Sequence, residues 1–417
     1  MHALFLTPAF PPFDGGGERY ARSLALALAA REQRVTVVTS QAQREQQFWQ
    51  GTADAGILQQ CDGPLTIIRC PLRPFPGGWR GVLAWRKAMV LLSLLPGDQT
   101  RLLTSMARQL PPLIGLGQAL AQLPDVPTLV HGFNLSWEHA LVAAQDFARR
   151  RNLPFVITPF THLGGSENAR VARNATMDHQ RRLLNEAHAV LALTSVEREG
   201  FAQWGIHPQR VVLIGGGADA PPALTDTAAI ARRYNLEPPF ALFVGRANFD
   251  KGAIHAAQAT LRLAKSGCAL TLALAGRVGD DFRRFHHHLS DAEQMLVRPL
   301  GTVDEIAKHA LLKEAMMLLL PSQADSFGIV LLEAWQHGTP VIGARAGGIP
   351  GVVDDGENGL LVPFGDVPAL ASAMQRLLTG DDLRQIMGRR GQEKVRREYT
   401  WDQVAGRVLA VYRDVAN

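Results

Sequence analysis

Short, almost wholly apolar blocks recur along the chain, and many are followed by a Gly- or Pro-rich turn and a stretch of helical Leu/Ala periodicity. Residues 2–7, 34–39, 65–69, 128–130, 154–159, 188–193 and 211–214 read as strands in the first half, and 241–244, 270–275, 297–301, 315–320 and the run from Val341 in the second. Unbroken apolar runs suit strands covered on both faces, as in a parallel sheet flanked by helices. Between them, 18–31, about 328–337 and 381–417 carry helical spacing. The alternation predicts an α/β chain, and 417 residues predict two domains.

Composition narrows this frame. Hydrophobic residues make up 47% and charged residues 19%, enough for sizeable cores. The net charge of +5 falls in the N-terminal half, without the run of like charges expected of a nucleic-acid arm. Cys61, Cys70 and Cys268 form no Cys-x-x-Cys pair, so they predict neither a metal site nor a disulfide framework. Residues 1–6 are too short for a secretory signal, and no apolar run reaches the ~20 residues of a membrane span. A cytoplasmic protein is expected.

The most informative stretch is 321–340. Pro321 closes an apolar strand, Asp325 and Ser326 are good N-cap types, and Gly338 and Pro340 stop the helix that follows. A loop therefore opens onto a helix N-terminus at the C-terminal end of a strand, where open α/β sheets bind ligands and free N–H groups favour phosphate. Glu333 falls about one and a half turns into the helix, on the order of 8 Å along its axis. The spacing fits one ligand laid along the helix start, with Asp325 at one end and Glu333 at the other. It equally fits two ordinary acids. Upstream, Gly245-Arg246-x4-Lys251-Gly252 follows another strand, and its two cations at a helix start answer the charge of a diphosphate. Near the N-terminus, Gly15-Gly16-Gly17 opens a helix after the first strand; this is not the dinucleotide fingerprint, and a nicotinamide cofactor is not expected.

These phrases resemble the retaining family-4 glycosyltransferases with the GT-B fold. Asp325 stands where the first acid of their Glu-x7-Glu signature is usual, Phe327-Gly328 where Phe-Gly is usual, and Glu333 on the second acid. Gly347-Gly348-Ile349-Pro350 and 358–363 are further family phrases. The resemblance implies two facing Rossmann-like domains with the active site in the cleft: 1–218 on the acceptor side, 219–397 holding the nucleotide sugar, and 398–417 as a helix returning to the first domain. It implies that Glu333 binds the ribose, that Ser326, Phe327, Gly328 and Ile329 face the diphosphate, and that Arg246 and Lys251 stabilise it. It also places Asp325 and His131 at the donor sugar, Gly15, Gly16 and Gly17 at donor phosphate and acceptor, and Gly276 and Arg277 at the base. His162 is expected as an acceptor contact. The donor would be a UDP- or GDP-sugar, used without cofactor or metal, and the reaction a transfer with retention to a saccharide, lipid-linked glycan or small molecule. Asp for Glu at position 325 and the missing Asn near Gly215 keep a second reading open, a nucleotide-sugar-binding relative with little or no activity.

Two stretches stand outside the resemblance. Residues 72–123 mix arginines with Trp79, Trp85 and many leucines, and Asp98 is the only acid. This fits helices packed on the sheet with their arginines in water, or a peripheral contact with the inner face of an anionic membrane. His286-His287-His288 are consecutive on a helical segment, so they diverge, and they are expected in solvent rather than on a metal.

Overall fold

The computed structural model describes residues 1–53, 56–161, 173–268 and 270–416. They divide into two compact units. The first comprises the described residues up to Gly217 together with those from Trp401 onward; the second comprises those from Ala218 to Thr400.

The first unit holds β1 (His2–Leu6), β2 (Arg34–Ser40), β3 (Leu58–Asp62), β4 (Leu65–Cys70), β5 (Leu129–Phe133), β6 (Phe155–Thr158), β7 (Ala189–Ala192) and β8 (Val211–Leu213). Their order is β3-β4-β2-β1-β5-β6-β7-β8. All neighbours run parallel except β3, which pairs antiparallel with β4. That edge strand is absent from the sequence reading because Leu-Gln-Gln-Cys-Asp is largely exposed and has no apolar run. Residues 72–123 contain three helices, Gly78–Leu92, Thr100–Ala107 and Leu116–Ala121.

The terminal helix Trp401–Ala416 packs on this unit, burying Val404, Val408 and Tyr412. Trp401 meets Tyr20 edge-on at 5.1 Å, and Arg407 Nε donates to the Ile214 carbonyl at 2.8 Å.

His131 departs from expectation. Strand β5 runs on to Phe133, so His131 is an interior strand residue and not the first residue of a loop. It is completely buried, with Nδ1 2.5 Å from the Tyr412 hydroxyl and Nε2 2.8 Å from Thr158 Oγ1. Phe133 stacks on its ring at 4.0 Å. It ties the sheet to the terminal helix, and both ring nitrogens are used in doing so.

The second unit holds β9 (Phe240–Val244), β10 (Thr271–Ala275), β11 (Val297–Gly301), β12 (Met317–Leu320), β13 (Val341–Ala344) and β14 (Gly359–Val362), ordered β11-β10-β9-β12-β13-β14. Every pairing is parallel. The chain moves from β9 outward to β11, then returns to lay β12 against the other side of β9, so strand order reverses between β9 and β12. Of the three consecutive histidines, His287 and His288 are exposed as expected. His286 instead turns inward and bonds the Val297 carbonyl at 2.8 Å.

Burial holds the His131 imidazole down at about 3, against a usual 6.5. The unfolded chain therefore takes up a proton below about pH 6.5 that the folded chain refuses, so the neutral ring's stabilisation is present above 6.5 and is lost as pH falls toward 3. In paired denaturant titrations, the stability advantage of wild type over His131→Gln should shrink as pH falls from 7 to 4. An advantage independent of pH would mean that the ring takes up its proton as readily in the fold as in the unfolded chain.

Candidate active site

Parallel strands deliver all their C-terminal ends to one edge of the sheet, and a reversal of strand order opens a crevice there. In the second unit that reversal lies between β9 and β12, and the loops leaving these two strands carry Arg246, Lys251 and Asp325.

The loops touch through their backbones. Gln323 N–H donates to the Asp250 carbonyl at 2.9 Å. Gly252 caps the helix Ala253–Lys265 in the left-handed region (φ 76°), and a Cβ there would lie 2.0 Å from the Pro321 carbonyl oxygen. Gly276, with φ 141°, ends β10 so close to Gly245 that a Cβ would lie 2.1 Å from its carbonyl oxygen. Ala247 N–H donates to the Arg277 carbonyl at 2.9 Å, and Gly348 N–H to the Asp325 carbonyl at 2.7 Å. A side chain cannot be inserted at Gly252 or Gly276 without parting the loops.

Charge is set on this rim. Lys251 Nζ lies 2.9 Å from Asp325 Oδ1, both side chains being partly buried. Asp325 Oδ2 is buried without a hydrogen-bond partner. Arg246 and Arg277 are exposed, and Arg246 forms no ion pair among the described residues. Asp325 and Ser326 do not cap the helix as expected. The helix is Ile329–Gln336, its N-cap is Gly328 in the left-handed region, and no side chain caps it. Asp325 is drawn away by Lys251, leaving the first helical N–H groups uncapped by any side chain. Phe327 is buried and meets Tyr399 edge-on at 5.6 Å, which fixes the loop beneath Ser326 and Gly328.

Glu333 stands further along the same helix. Its Oε1 accepts from Lys308 Nζ at 2.8 Å, and the same ammonium reaches Glu305 Oε2 at 2.7 Å. The Lys308 side chain is 8% exposed, Glu333 16% and Glu305 65%. Behind them, His309 Nδ1 lies 2.9 Å from His337 Nε2. Glu305, His309 and Glu333 bring three donor atoms close enough to surround a cation, and the Lys308 ammonium is bonded to both of the carboxylates. Lys308 and Glu305 were not legible as site residues: their i, i+3 spacing predicts an ion pair on one helix, but not its contact with Glu333 on another.

Gly15, Gly16 and Gly17 belong to the first unit. Gly15 caps the helix Gly16–Ala30. Glu18 is buried in the first turn, where burial pushes its carboxyl up to about 7. His162 lies outside the described residues.

A model of the group 1 glycosyl transferases matches residues 227–394, and one of the glycosyl transferase 4-like domain matches 15–217. The D-inositol 3-phosphate glycosyltransferase of Kribbella flavida is 30% identical over 313 residues, 70% of this chain and 72% of that protein. The phosphatidyl-myo-inositol mannosyltransferase of Mycobacterium leprae is 44% identical over 121 residues, 29% of this chain and 32% of its own length. The D-inositol 3-phosphate glycosyltransferase of Acidothermus cellulolyticus is 29% identical, over 67% of this chain and 65% of that protein. Among solved structures, sucrose-phosphate synthase from Thermosynechococcus elongatus superposes with a TM-score of 0.73 at 22% identity, over 99% of this chain and 98% of its own. Anabaena HepE, in complex with UDP-glucose, gives 0.69 at 18% identity, over 99% and 100%. The chain belongs to the group 1, family-4-like glycosyltransferases and has the GT-B fold.

Lys308 should be worth more to the fold than its partner Glu305. Lys308→Met strips Glu333 of its charged bond and should lower stability by about 1–3 kcal/mol. Glu305→Gln removes an exposed partner and should cost less than about 1 kcal/mol. Urea denaturation of both variants checks the order; equal losses would mean that Glu333 is not held by Lys308.

Proposed function

We propose that this protein transfers a sugar from a nucleotide-diphosphate sugar to an acceptor with retention of anomeric configuration. The observation that carries the reading is the grouping, on the rim between β9 and β12, of Arg246, the Lys251–Asp325 pair and an uncapped helix N-terminus, with Glu333 further along that helix. Each part has one use. The diphosphate lies against Arg246, Lys251 and the amides of Ser326, Phe327, Gly328 and Ile329, as the resemblance implies. Glu333, steadied through Oε1 by Lys308, offers Oε2 to the ribose hydroxyls. Asp325 Oδ2, the unpaired oxygen, accepts from a hydroxyl of the donor sugar.

In the reaction, the bond between the anomeric carbon and the diphosphate oxygen breaks, and the leaving group takes the electron pair. The cations and helix amides stabilise the charge that develops on it. The acceptor oxygen bonds to the anomeric carbon on the face the diphosphate leaves, and its proton passes to a departing phosphate oxygen. No metal is required on this reading. Its support is that the one group with cation-binding geometry among the described residues already holds the Lys308 ammonium. His131 takes no part, being enclosed and fully bonded. UDP and GDP are the first nucleotides to test; the neighbour from Anabaena is bound to UDP-glucose.

The deciding experiment pairs calorimetric titration of UDP and GDP with a transfer assay, on wild type, Glu333→Ala and Asp325→Asn. Glu333→Ala should weaken nucleotide binding several-fold to about a hundredfold, the loss of a hydrogen bond to a charged group. Asp325→Asn should leave nucleotide affinity within about threefold and lower transfer on the order of a hundredfold. Unchanged affinity in Glu333→Ala would remove the ribose assignment. Full transfer by Asp325→Asn would remove the carboxylate from the reaction. Wild-type nucleotide binding with no hydrolysis or transfer of any nucleotide sugar would favour the inactive relative.

A further inference from the structure

The helix Gly78–Leu92 of the first unit is apolar on two sides. One side is anchored: Val82 and Met89 are buried, Trp85 Nε1 donates to the Met106 carbonyl at 3.2 Å, and Arg86 bonds Glu138 and the Ser136 carbonyl. The other side is bare. Trp79, Leu83 and Leu91 are 44%, 41% and 65% exposed, and the turn that continues the helix adds Leu94 and Leu95 at 60% and 55%. At about 100° per residue, these five side chains fall within a sector of about 160°. Among the described residues, no other stretch of similar length exposes large apolar side chains so densely. A contiguous patch of this kind marks a surface that something covers.

The charges say what covers it. Arg80 and Lys87 fall in the same sector, are exposed, and form no ion pair among the described residues. Asp98, the only acid between 72 and 123, is occupied in accepting the Thr100 N–H at 2.9 Å. A second copy docked here about a twofold axis would set the same uncompensated cations against each other. An anionic lipid surface answers both features, with headgroups for Arg80 and Lys87 and acyl chains for Leu83, Leu91, Leu94 and Leu95, while Trp79 lies at the boundary. None of the described helices is long and apolar enough to cross a membrane, so the contact is made in the plane of the surface.

We propose that the outer face of Gly78–Leu92 and the following turn form a docking surface for anionic membranes. The inference does not depend on the proposed transfer reaction.

Co-sedimentation of the full chain with vesicles tests it. Wild type should bind vesicles of equal parts phosphatidylglycerol and phosphatidylcholine at least about tenfold more tightly than phosphatidylcholine alone, and added salt should weaken that binding. Arg80→Gln/Lys87→Gln should lose about tenfold or more. Leu91→Ser/Leu94→Ser/Leu95→Ser should lose at least as much, with the circular dichroism melt unchanged in both variants. No wild-type binding to the anionic vesicles overturns the proposal, as does binding that the charge variant leaves intact. A wild-type dimer in sedimentation velocity that the leucine variant dissolves also overturns it, because the face would then belong to a second copy.

Discussion

The constraint on which the second unit depends is the closeness of its loops. Five parallel strands, β9 to β13, end at one edge, and each must turn there with its backbone polar groups satisfied. They satisfy one another. Gln323 bonds Asp250, Ala247 bonds Arg277, Gly276 bonds Gly301 at 2.7 Å, and Gly348 bonds Asp325. The approach is possible only because Gly252 and Gly276 have no Cβ to strike the facing carbonyls. Five strand ends that could have moved independently become one rim. A site that must hold charge at fixed positions gains from such a rim, since the dipoles need not reorganise when charge develops.

The second unit has two lysine–carboxylate pairs with different consequences, one on this rim and one beyond it. Lys251 and Asp325 pair across the junction of two loops, so the bond that neutralises them also joins β9's turn to β12's. Lys308 and Glu333 pair between two helices, away from the strand ends, with the lysine nearly enclosed. The second pair sets the direction of the Glu333 carboxylate by occupying one oxygen and leaving the other. Arg246 remains exposed and outside both pairs. The second unit therefore keeps one exposed cation beside one that is already compensated, an arrangement that can accept an anion without leaving a buried charge unpaired beforehand.

Much of this was legible in the sequence, for identifiable reasons. Most of the second-unit strands are short, apolar and ended by Gly or Pro, and the phrases around Arg246 and Glu333 carry their own spacing. What the chain could not display was proximity across the sheet. Asp325 reads as an N-cap because it precedes a helix; only the adjacency of β12 to β9 reveals that Lys251 claims it. Lys308 lies 25 residues from Glu333, on another helix, and nothing in its own stretch of sequence points to that partner. His131 was misjudged for a different reason. Gly132 looks like the end of a strand, yet β5 continues through it, because Leu141 and Ala144 pack where a Gly132 side chain would be. The aromatic shell of Phe5, Phe133 and Tyr412 that encloses His131 comes from three separate parts of the chain.

The aspartate at 325 gains its meaning from the same rim. Relative to glutamate it withdraws the carboxylate by about 1.5 Å, near one carbon–carbon bond. A shorter arm on a loose loop would wander, but this one is held at its carbonyl by Gly348 and at Oδ1 by Lys251. Two attachments leave the side chain little rotational freedom, so the position of Oδ2 follows from theirs. A buried oxygen without a partner costs about 1–3 kcal/mol. An asparagine that kept its oxygen toward Lys251 would turn an amide N–H into that space and could not accept from a hydroxyl. The aspartate is thus fixed by the loop that carries it, through its own carbonyl and through Oδ1, and Oδ2 is the oxygen left without a partner.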